Sequence, residues 1–406
     1  MTKTISSRLE KTILQYIKET YLPKRFKVSK KNSEFTHKDI FFFAKGAAEL
    51  SDSFTINRSN LPKNYFNKKE YRSAYLLYFT LTNYAKTLKA LNEAYSKGAF
   101  DHIKKSSEKQ MSVLDLGCGP GTASIACSTF FEQKADNIKL DLFGVDQNNE
   151  ILNDAKNLFS QLGNKKDSFH TSTELLRPNL KNRSGEKYDL IIAANFLNEI
   201  GDINQQFLLC ESLIQNKLKE NGTILMLDIA IQKTTRMMME LRDRLIGYFD
   251  DSVQIVAPCL HRKPCPMLAA NRRDWCHFYL EWSLPDVIKN TDSLLGIKHN
   301  YLKMTYLTIQ KTSVKRPDTH NDWKVVSSPL PSKGKTELLL CNNGILKRIS
   351  RLDRDYSKDN CALISSRNIK AVYNSALKRG DIINITPESD RILKDTQIVL
   401  KEKFND

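Results

Sequence analysis

Residues 113–121 read VLDLGCGPG, an apolar stretch that runs directly into a turn rich in glycine. The letters VLDL form a short buried strand, and Gly117, Gly119 and Gly121 follow at alternate positions before the segment ASIACSTFF begins a helix. Glycine lets the backbone turn tightly and lets a ligand approach without meeting a Cβ atom. The N-terminus of the helix supplies unpaired N–H groups. The stretch therefore predicts a strand–turn–helix unit whose turn contacts a ligand.

Two acidic residues distinguish this turn from a dinucleotide-binding turn. Asp115 lies two residues before the first glycine, and Asp146 ends the next predicted strand, LDLFGVD. A carboxylate here would repel a pyrophosphate and attract a ligand that carries an ammonium and a sulfonium group. We expect Asp115 to meet the ammonium group and Asp146 to bind a ribose diol. The D-x-G-x-G-x-G pattern resembles the first motif of class I S-adenosylmethionine-dependent methyltransferases.

The segment around this turn predicts a doubly wound parallel sheet, because residues 111–256 alternate strands and helices. The strand KYDLIIAAN ends at Asn195, and parallel strands bring their carboxyl ends to one edge of the sheet. Three separate segments should therefore form one pocket for S-adenosylmethionine. The residues predicted to bind this cofactor are Asp115, Gly117, Cys118, Gly119, Gly121, Asp146, Gln147 and Asn195.

The residues that follow this strand leave the chemistry open. The chain reads NFLNE from Asn195 to Glu199. Amino methylases of nucleic acids usually carry Asn or Asp, two prolines and an aromatic residue there, and cytosine C5 methylases carry a Pro-Cys nucleophile. Neither pattern is present. Asn195, Asn198 and Glu199 are candidates for orienting or deprotonating a substrate, and helix capping by Asn198 and Glu199 is an equal alternative.

The flanks of this central region are basic. The chain has 63 lysine and arginine residues against 46 acidic ones, and the basic excess lies before residue 111 and after residue 256. Such flanks predict a polyanionic partner, with a solvated lysine-rich surface as the alternative. No apolar run approaches the ~20 residues of a membrane-spanning helix, so we expect no membrane partner. Eight cysteines in 406 residues indicate a reducing compartment.

Residues 1–110 predict a helical region, because apolar residues recur three and four positions apart. An aromatic stripe within it could stack on unpaired bases, although such a stripe is more often part of a core. The stripe and the basic residues between its rings are Tyr71, Arg72, Tyr75, Tyr78, Phe79, Tyr84, Lys86 and Lys89.

From about residue 300 the chain reads as short strands, and Asn343-Gly344 predicts a hairpin turn beside Cys341. The tail therefore predicts a small β-barrel-like domain, OB-like in type. The complete prediction is an α/β chain with a helical region at 1–110, a class I methyltransferase sheet at 111–310 and a β-rich domain at 311–406.

A cysteine-rich insertion at residues 254–282 interrupts the strand–helix alternation. Cys259, Cys265 and Cys276 lie within eighteen positions and are separated by prolines. Thiols clustered in an irregular segment predict a metal site, with three unrelated thiols as the alternative. His261 and His277 could complete a zinc site. The spacing matches neither zinc ribbons nor common ferredoxins, so it does not identify the metal.

Several segments together resemble one family along nearly the whole chain. They are RSAYLLYFTLTNY, VLDLGCGPGTAS, GVDQN, YDLIIAANFLNEI, APCLHRKPCP with DWCHF, and LLLCNNGILKRISR. This is the small-ribosomal-subunit methyltransferase-like family that includes the mitochondrial protein Rsm twenty-two and methyltransferase-like protein seventeen. The resemblance implies association with small-subunit rRNA during assembly and a four-iron four-sulfur cluster. In this sequence, the resemblance implies that the cluster ligands are Cys259, Cys265, Cys276 and Cys341.

The resemblance also implies that methyl transfer has been lost in some members, which agrees with the missing signature after Asn195. The expected function is that of a monomeric factor that binds S-adenosylmethionine and an iron–sulfur cluster and acts on small-subunit rRNA and its assembly intermediates. An active rRNA (cytosine) methyltransferase and a small-molecule methyltransferase with structural zinc are the alternatives. The short N-terminus favours a bacterial cytoplasm, with the mitochondrial matrix expected for a eukaryotic protein.

Overall fold

The computed structural model describes residues 5–24, 35–55, 64–135, 137–173, 186–317, 319, 321–360, 377–386 and 388–405. Its N-terminal part is helical, as the apolar spacing predicts. The helices are Ser7–Tyr21, His37–Thr55, Lys69–Ala74, Thr80–Ser96 and Asp101–Lys105. A π-helical turn, Tyr75–Phe79, joins the third and fourth of these helices into one run. We call Thr80–Ser96 the central helix.

The larger sheet begins with the strand that precedes the glycine turn. Its strands are β1 Gln110–Leu116, β2 Lys139–Asp146, β3 Ser168–Thr173, β4 Tyr188–Ala194, β5 Leu218–Asp228, β6 Val253–Ala257, β7 Phe278–Glu281 and β8 Tyr301–Lys311. Within the described residues their order is β3-β2-β1-β4-β5-β8-β6, with β7 paired to β8. Strands β1 to β5 are parallel, and β8 runs antiparallel to β5 and β6.

Helices cover this sheet, which explains why its central strand β4 and most of β5 are buried on both faces. The helices are Thr122–Lys134, Asn149–Leu162, Ile203–Ser212, Gln232–Phe249, Pro266–Ala270 and Asp286–Leu295. The part of the chain that the structure describes contains no helix long and apolar enough to cross a membrane.

The strand that begins near residue 300 lies in the larger sheet and not in the tail. Strand β8 pairs with β5, β6 and β7. Its residues from Met304 to Gln310 are all buried, because helices and neighbouring strands cover it on both sides. Except for Lys311, this strand lies within the range 111–310 predicted for the methyltransferase-like sheet, and it closes that sheet.

The second sheet is formed by the tail and is curled, in agreement with the barrel-like prediction. Its strands are β9 Asp322–Val325, β10 Leu330–Ser332, β11 Lys335–Asn342, β12 Ile345–Leu352, β13 Ile382–Thr386, β14 Arg391–Ile392 and β15 Gln397–Glu402. Their order is β14-β12-β11-β9-β13-β15, with β10 on β11. Asn343 and Gly344 join β11 to β12, and both have positive φ, which confirms the predicted hairpin. Tail residues 361–376 lie outside the described residues.

The central helix contacts both sheets through Glu93, which is buried. Its carboxylate accepts a hydrogen bond from the Lys324 ammonium of β9 at 2.9 Å and another from the Tyr306 hydroxyl of β8. Burial acts to raise the pKa of Glu93, but the Lys324 cation and these hydrogen bonds outweigh it and hold the pKa below its usual value. Lys324 is equally buried, so the two charges stabilise each other where water is excluded.

Further contacts bind the second sheet to the rest of the molecule. The Phe404 ring packs against Phe278 and Tyr306 of the larger sheet, with centroids 5.3 and 6.3 Å away. Lys378 forms an ion pair with Glu281 at 2.7 Å. The interface is therefore partly apolar and partly ionic. Among the described ion pairs that join the second sheet to the rest of the molecule, Glu93–Lys324 is the most buried.

We expect Glu93→Gln to reduce the free energy of unfolding by roughly 3–5 kcal/mol, because it leaves the Lys324 ammonium buried without a counter-ion. The double variant Glu93→Gln/Lys324→Met removes both charges and should recover most of this loss in urea denaturation. Lys97→Met is the matched control, since its ion pair with Glu402 is partly exposed and should be worth under ~1 kcal/mol. Equal losses for Glu93→Gln and Lys97→Met would contradict the prediction.

Candidate functional site

The glycine turn after β1 has a backbone that requires glycine. Gly117, Gly119 and Gly121 have φ values of 63°, 51° and 74°, in the left-handed region that other residues rarely occupy. A Cβ atom on Gly117 would lie 2.7 Å from the Phe196 ring, whereas one on Gly119 would have its nearest neighbour, the Phe66 ring, at 3.9 Å. The backbone of Gly119 therefore has free space beside it, next to an aromatic ring.

Asp146 ends β2 and supports the glycine turn. Its carboxylate accepts hydrogen bonds from the backbone N–H groups of Gly119 and Asn148, both at 3.0 Å. Burial raises the pKa of Asp146, and these hydrogen bonds act in the opposite direction. The adjacent Gln147 is exposed. Asp146 was predicted to end β2 and to bind a ribose diol, and the structure shows that its carboxylate also holds the glycine turn in shape.

Asp115 contacts the helix that follows the turn. Its carboxylate accepts hydrogen bonds from the Ser124 backbone N–H at 3.0 Å and from the Ser124 hydroxyl at 2.7 Å. Burial raises the pKa of Asp115 to about 7. Asp115 thus fastens the first turn of the helix to β1, a role that sequence analysis did not include. Cys118 donates its backbone N–H to Val145 at 3.0 Å.

A cavity of about 280 Å³ lies at the carboxyl end of β4. The catalytic candidates Asn195, Asn198 and Glu199 all line it, so the structure brings the three together. Tyr75, Tyr78 and Phe79 of the aromatic run before the central helix also line it, as does Lys86. The residues that line the cavity include no glycine of the turn and neither Asp115 nor Asp146. The cavity is therefore beside the predicted cofactor pocket and meets it at Asn195.

Asp228, which ends β5, fixes the side chain of Asn198. Its carboxylate accepts hydrogen bonds from the Asn198 backbone N–H at 2.9 Å and from the Asn198 side-chain amide. The amide nitrogen faces the carboxylate, so the amide oxygen points elsewhere. Within the described residues, the side-chain oxygens of Asn195 and Asn198 are buried and accept no hydrogen bond. Asp228 was not among the predicted site residues, although an acid at the end of a parallel strand was the available signal.

Lys86 lines this cavity and is only partly exposed, whereas Lys298 and Lys303, which also line it, are exposed. It forms no hydrogen bond or ion pair with the residues that the structure describes. Burial lowers the pKa of Lys86 to about 8, and the Asp228 carboxylate partly offsets this effect. In the sequence, Lys86 stood out only as one basic residue within an aromatic stripe.

The four predicted cysteine ligands lie close enough to influence each other's ionisation. Burial first, and then the neighbouring thiols, raise the pKa of Cys265 to about 11, that of Cys276 to about 12 and that of Cys341 well above its ordinary value. Cys259 contributes to each of these three shifts. Cys341 belongs to β11 of the second sheet, whereas the other three belong to the insertion. The structure therefore brings thiols from two parts of the chain into one neighbourhood.

The two histidines of the insertion differ in their surroundings. His261 Nε2 lies 3.6 Å from Cys341 Sγ. The ring nitrogens of His277 lie 3.1 Å from the Trp275 carbonyl and 3.2 Å from the Tyr279 hydroxyl. Across the described ranges, no group of three or more His, Cys, Asp or Glu side chains is arranged to hold a metal ion. The thiols are thus neighbours without being drawn together around one ion.

The sheet order and the acid-flanked glycine turn define the class of the protein. A parallel β3-β2-β1-β4-β5 sheet closed by antiparallel β8, with the turn after β1, is the fold of class I S-adenosylmethionine-dependent methyltransferases. The family model of Rsm22, described as mitochondrial small ribosomal subunit Rsm22, matches residues 71–352. This range is well over half of the 406-residue chain, and the chain belongs to the Rsm22 family.

Solved structures of low similarity include three bacterial proteins. A putative class I S-adenosylmethionine-dependent methyltransferase from Listeria monocytogenes has 13% identity, 76% of this chain and 83% of that chain covered, and a TM-score of 0.35. The ribosomal protein L11 methylase from Lactobacillus delbrueckii subsp. bulgaricus has 15% identity and a TM-score of 0.28, with 53% of this chain and 77% of that chain covered. An rRNA methylase from Streptococcus thermophilus has 11% identity and a TM-score of 0.27, with 52% of this chain and 93% of that chain covered. No curated protein matched the chain.

These structures are too dissimilar to support the fold assignment, which depends on the sheet order of the chain itself.

We expect Lys86→Met to stabilise the protein more at neutral than at alkaline pH. The folded-state pKa of about 8 lies below the ordinary 10.5, so the cost of burying the cation is present in full below pH 8 and declines as the pH rises. The free energy of unfolding should increase by roughly 1–3 kcal/mol at pH 7, and the gain should shrink by pH 9.5.

Urea denaturation at pH 7 and pH 9.5 measures this difference. Lys233→Met is the control, because Lys233 is exposed and the substitution changes the net charge equally. A gain for Lys86→Met that is the same at both pH values would contradict the buried cation.

Proposed function

We propose that the chain is a methyltransferase-like factor that binds S-adenosylmethionine and an iron–sulfur cluster and acts on the rRNA of the small ribosomal subunit during assembly or translation. The observation that carries this proposal is the family match over residues 71–352, because the family is named for the mitochondrial small ribosomal subunit. That range contains the glycine turn, the cavity-lining residues after β4 and the four cysteines. The proposed compartment is the mitochondrial matrix, or the cytoplasm in a bacterium.

The proposed cofactor pocket combines the glycine turn with the ends of β2 and β4. Free space beside Gly119 suits a ligand that lies against the backbone. Asp146, next to this space, would accept hydrogen bonds from a ribose diol. Asp115 would act mainly through Ser124, since its described hydrogen bonds hold the helix N-terminus. S-adenosylmethionine supplies an electrophilic methyl group when bound. The remaining proposed contacts are Gly117, Cys118, Gly121, Gln147 and Asn195.

The proposed ligands of a four-iron four-sulfur cluster are Cys259, Cys265, Cys276 and Cys341. Four cysteines are the usual ligands of a four-iron four-sulfur cluster. Cys265, Cys276 and Cys341 share one apolar cluster of side chains. Thiolate ligands of one ion all lie within about 2.3 Å of it, whereas a four-iron cluster lies between its thiolates and keeps them further apart.

Arg242 supports the same assignment, because a cluster with four thiolate ligands is anionic. Burial acts to lower the pKa of Arg242, but Cys259 and Asp243 outweigh it and raise the pKa above its usual value. The guanidinium thus remains charged beside the thiols. Since Cys341 comes from the second sheet, cluster formation would be coupled to docking of the tail.

A second candidate function is that of an active rRNA (cytosine) methyltransferase. The cavity favours it, because Asn195, Asn198 and Glu199 line one space next to the proposed cofactor pocket. We also propose the division into residues 1–110, 111–310 and 311–406, with Glu93 connecting the first and last parts.

Co-sedimentation with small-subunit assembly intermediates in moderate salt tests the proposed function. The chain should be enriched with these particles over a control protein of equal net charge, which accounts for non-specific binding to rRNA. Methyl transfer to the rRNA in the same reactions would support the second candidate. Equal sedimentation of the chain and the control would contradict both functions.

We expect Asp146→Ala to weaken S-adenosylhomocysteine binding about tenfold or more, because one carboxylate would lose its contacts with the ribose. Titration calorimetry measures the dissociation constant. Asp141→Ala is the control, since Asp141 lies on the same strand but contacts Ser168 and His170. Unchanged affinity in a folded Asp146→Ala protein would exclude this residue from the pocket.

We expect Cys341→Ser to abolish the visible absorption of the anaerobically purified protein and to make the tail more sensitive to trypsin. The physical reason is the loss of a ligand that connects the two sheets. Cys210→Ser is the control, because Cys210 is a buried thiol next to Met226, and its pKa is raised by burial with no contribution from the four thiols. Unchanged absorption in Cys341→Ser would refute this ligand, and zinc without iron or sulfide would support the zinc alternative.

A further inference from the structure

A short turn from the N-terminal helical region lies against the glycine turn. It is the single 3-10 turn Tyr65–Asn67, which precedes the helix Lys69–Ala74. A Cβ atom on Gly119 would have the Phe66 ring as its nearest neighbour outside the glycine turn, at 3.9 Å. Both residues are buried. The Phe66 ring therefore forms a wall of the free space beside the backbone of Gly119.

This wall lies at the end of the pocket where Asp146 is found. The backbone N–H groups of Gly119 and Asn148 both donate hydrogen bonds to the Asp146 carboxylate. The side-chain amide of Asn148 donates to the side-chain oxygen of Asn67 at 2.6 Å. One chain of hydrogen bonds thus connects the residue after Phe66 with the carboxylate that is proposed to bind a ribose. A ligand whose ribose meets Asp146 would have its nucleoside end beside the Phe66 ring.

Arg72 holds the 3-10 turn in place. Its guanidinium is buried and donates hydrogen bonds to the backbone carbonyls of Phe66 at 2.6 Å and Asn67 at 3.3 Å. It also forms ion pairs with Glu150 at 3.3 Å and Asp154 at 3.8 Å, both on the helix that follows β2. The planar guanidinium has five N–H donors, which a lysine ammonium cannot reproduce. Arg72 therefore fixes the turn relative to the helix that begins after Asp146.

The first helix of the chain is attached to the same network. The Asp154 carboxylate accepts hydrogen bonds from the hydroxyl groups of Tyr16, at 2.6 Å, and Tyr21. The Tyr21 hydroxyl in turn accepts a hydrogen bond from Arg72 Nε at 3.3 Å. Arg72 and Asp154 are both buried, so each charge compensates the other where water is excluded. The N-terminal helix thus packs on the network that positions Phe66.

We propose that Phe66 contacts the nucleoside end of the bound S-adenosyl ligand and that Arg72 is the positioning residue that holds the ring there. The ring adds apolar contact to a pocket whose other groups are polar. Because Arg72 binds the backbone of the turn, the ring is in place before the ligand arrives, which lowers the entropic cost of binding. This inference rests on the proposed function, since it concerns the same cofactor pocket.

Titration calorimetry with two ligands, S-adenosylhomocysteine and adenosine, tests the contact. Phe66→Ala should weaken both ligands by the same factor, about tenfold, because the contact is made to the adenosyl group that they share. Phe42→Ala is the control, since it removes a ring of the same helical region that packs on Phe43. The control should leave both affinities unchanged.

A double-mutant cycle tests the positioning role of Arg72. Arg72→Lys keeps a positive charge beside Asp154 but loses the hydrogen bonds to the carbonyls, and it should weaken S-adenosylhomocysteine about fivefold. The double variant Phe66→Ala/Arg72→Lys should bind as weakly as Phe66→Ala alone, because Arg72 acts through the ring. An independent effect of Arg72 on the fold would instead make the two losses multiply.

Hydrogen exchange of the unaltered protein tests the same contact without any variant. The backbone N–H groups of Asn67 and Lys68 close the 3-10 turn by donating to Asn64 and Tyr65. Saturating S-adenosylhomocysteine should slow the exchange of these two amides more than that of amides in β13 of the second sheet.

Four results would overturn the inference. They are unchanged affinity in Phe66→Ala, a loss for S-adenosylhomocysteine without one for adenosine, multiplied losses in the double variant, and unchanged exchange at the 3-10 turn. If Asp146→Ala still weakens S-adenosylhomocysteine, these results reject the Phe66 contact alone. If the unaltered protein binds no S-adenosylhomocysteine, the proposed cofactor function is rejected together with this inference.

Discussion

The buried ion pair between Glu93 and Lys324 is the constraint on which the arrangement of the two sheets depends. Glu93 belongs to the central helix and also accepts a hydrogen bond from Tyr306 of the larger sheet, whereas Lys324 belongs to the second sheet. Either charge alone would be buried without compensation, at a cost of several kcal/mol. The interface is therefore favourable only when the helix and both sheets are in place.

This pair also influences where the cysteines lie. Lys324 of β9 is the direct partner of Cys341 of β11 in the antiparallel ladder. Fixing Lys324 against Glu93 thus fixes the strand that carries Cys341 beside the insertion. The central helix has a second role seven residues earlier, where Lys86 enters the cavity. Seven residues are about two helical turns, so the same side of one helix contacts the cavity and the second sheet.

The sequence predicted those features that depend on local rules. The glycine turn was predictable because Gly117, Gly119 and Gly121 need a left-handed backbone, and the hairpin was predictable because Asn343-Gly344 has a strong turn preference. Strand β8 was predicted as a strand, but its antiparallel pairing with β5 and β6 was not, because the residues of one strand do not indicate its neighbours. The contact of Asp115 with Ser124 was missed, because a carboxylate beside a glycine turn suits a ligand and a helix N-terminus equally. Lys86 and Asp228 meet only through the tertiary fold.

Native-state hydrogen exchange tests most directly whether the two sheets form one cooperative unit. If the Glu93–Lys324 contact couples them, amides in β13 of the second sheet should open with the same free energy as amides in β4, within about 1 kcal/mol. Rapid exchange throughout β13 while β4 remains protected would contradict this account, because the tail would then unfold independently of the methyltransferase-like sheet.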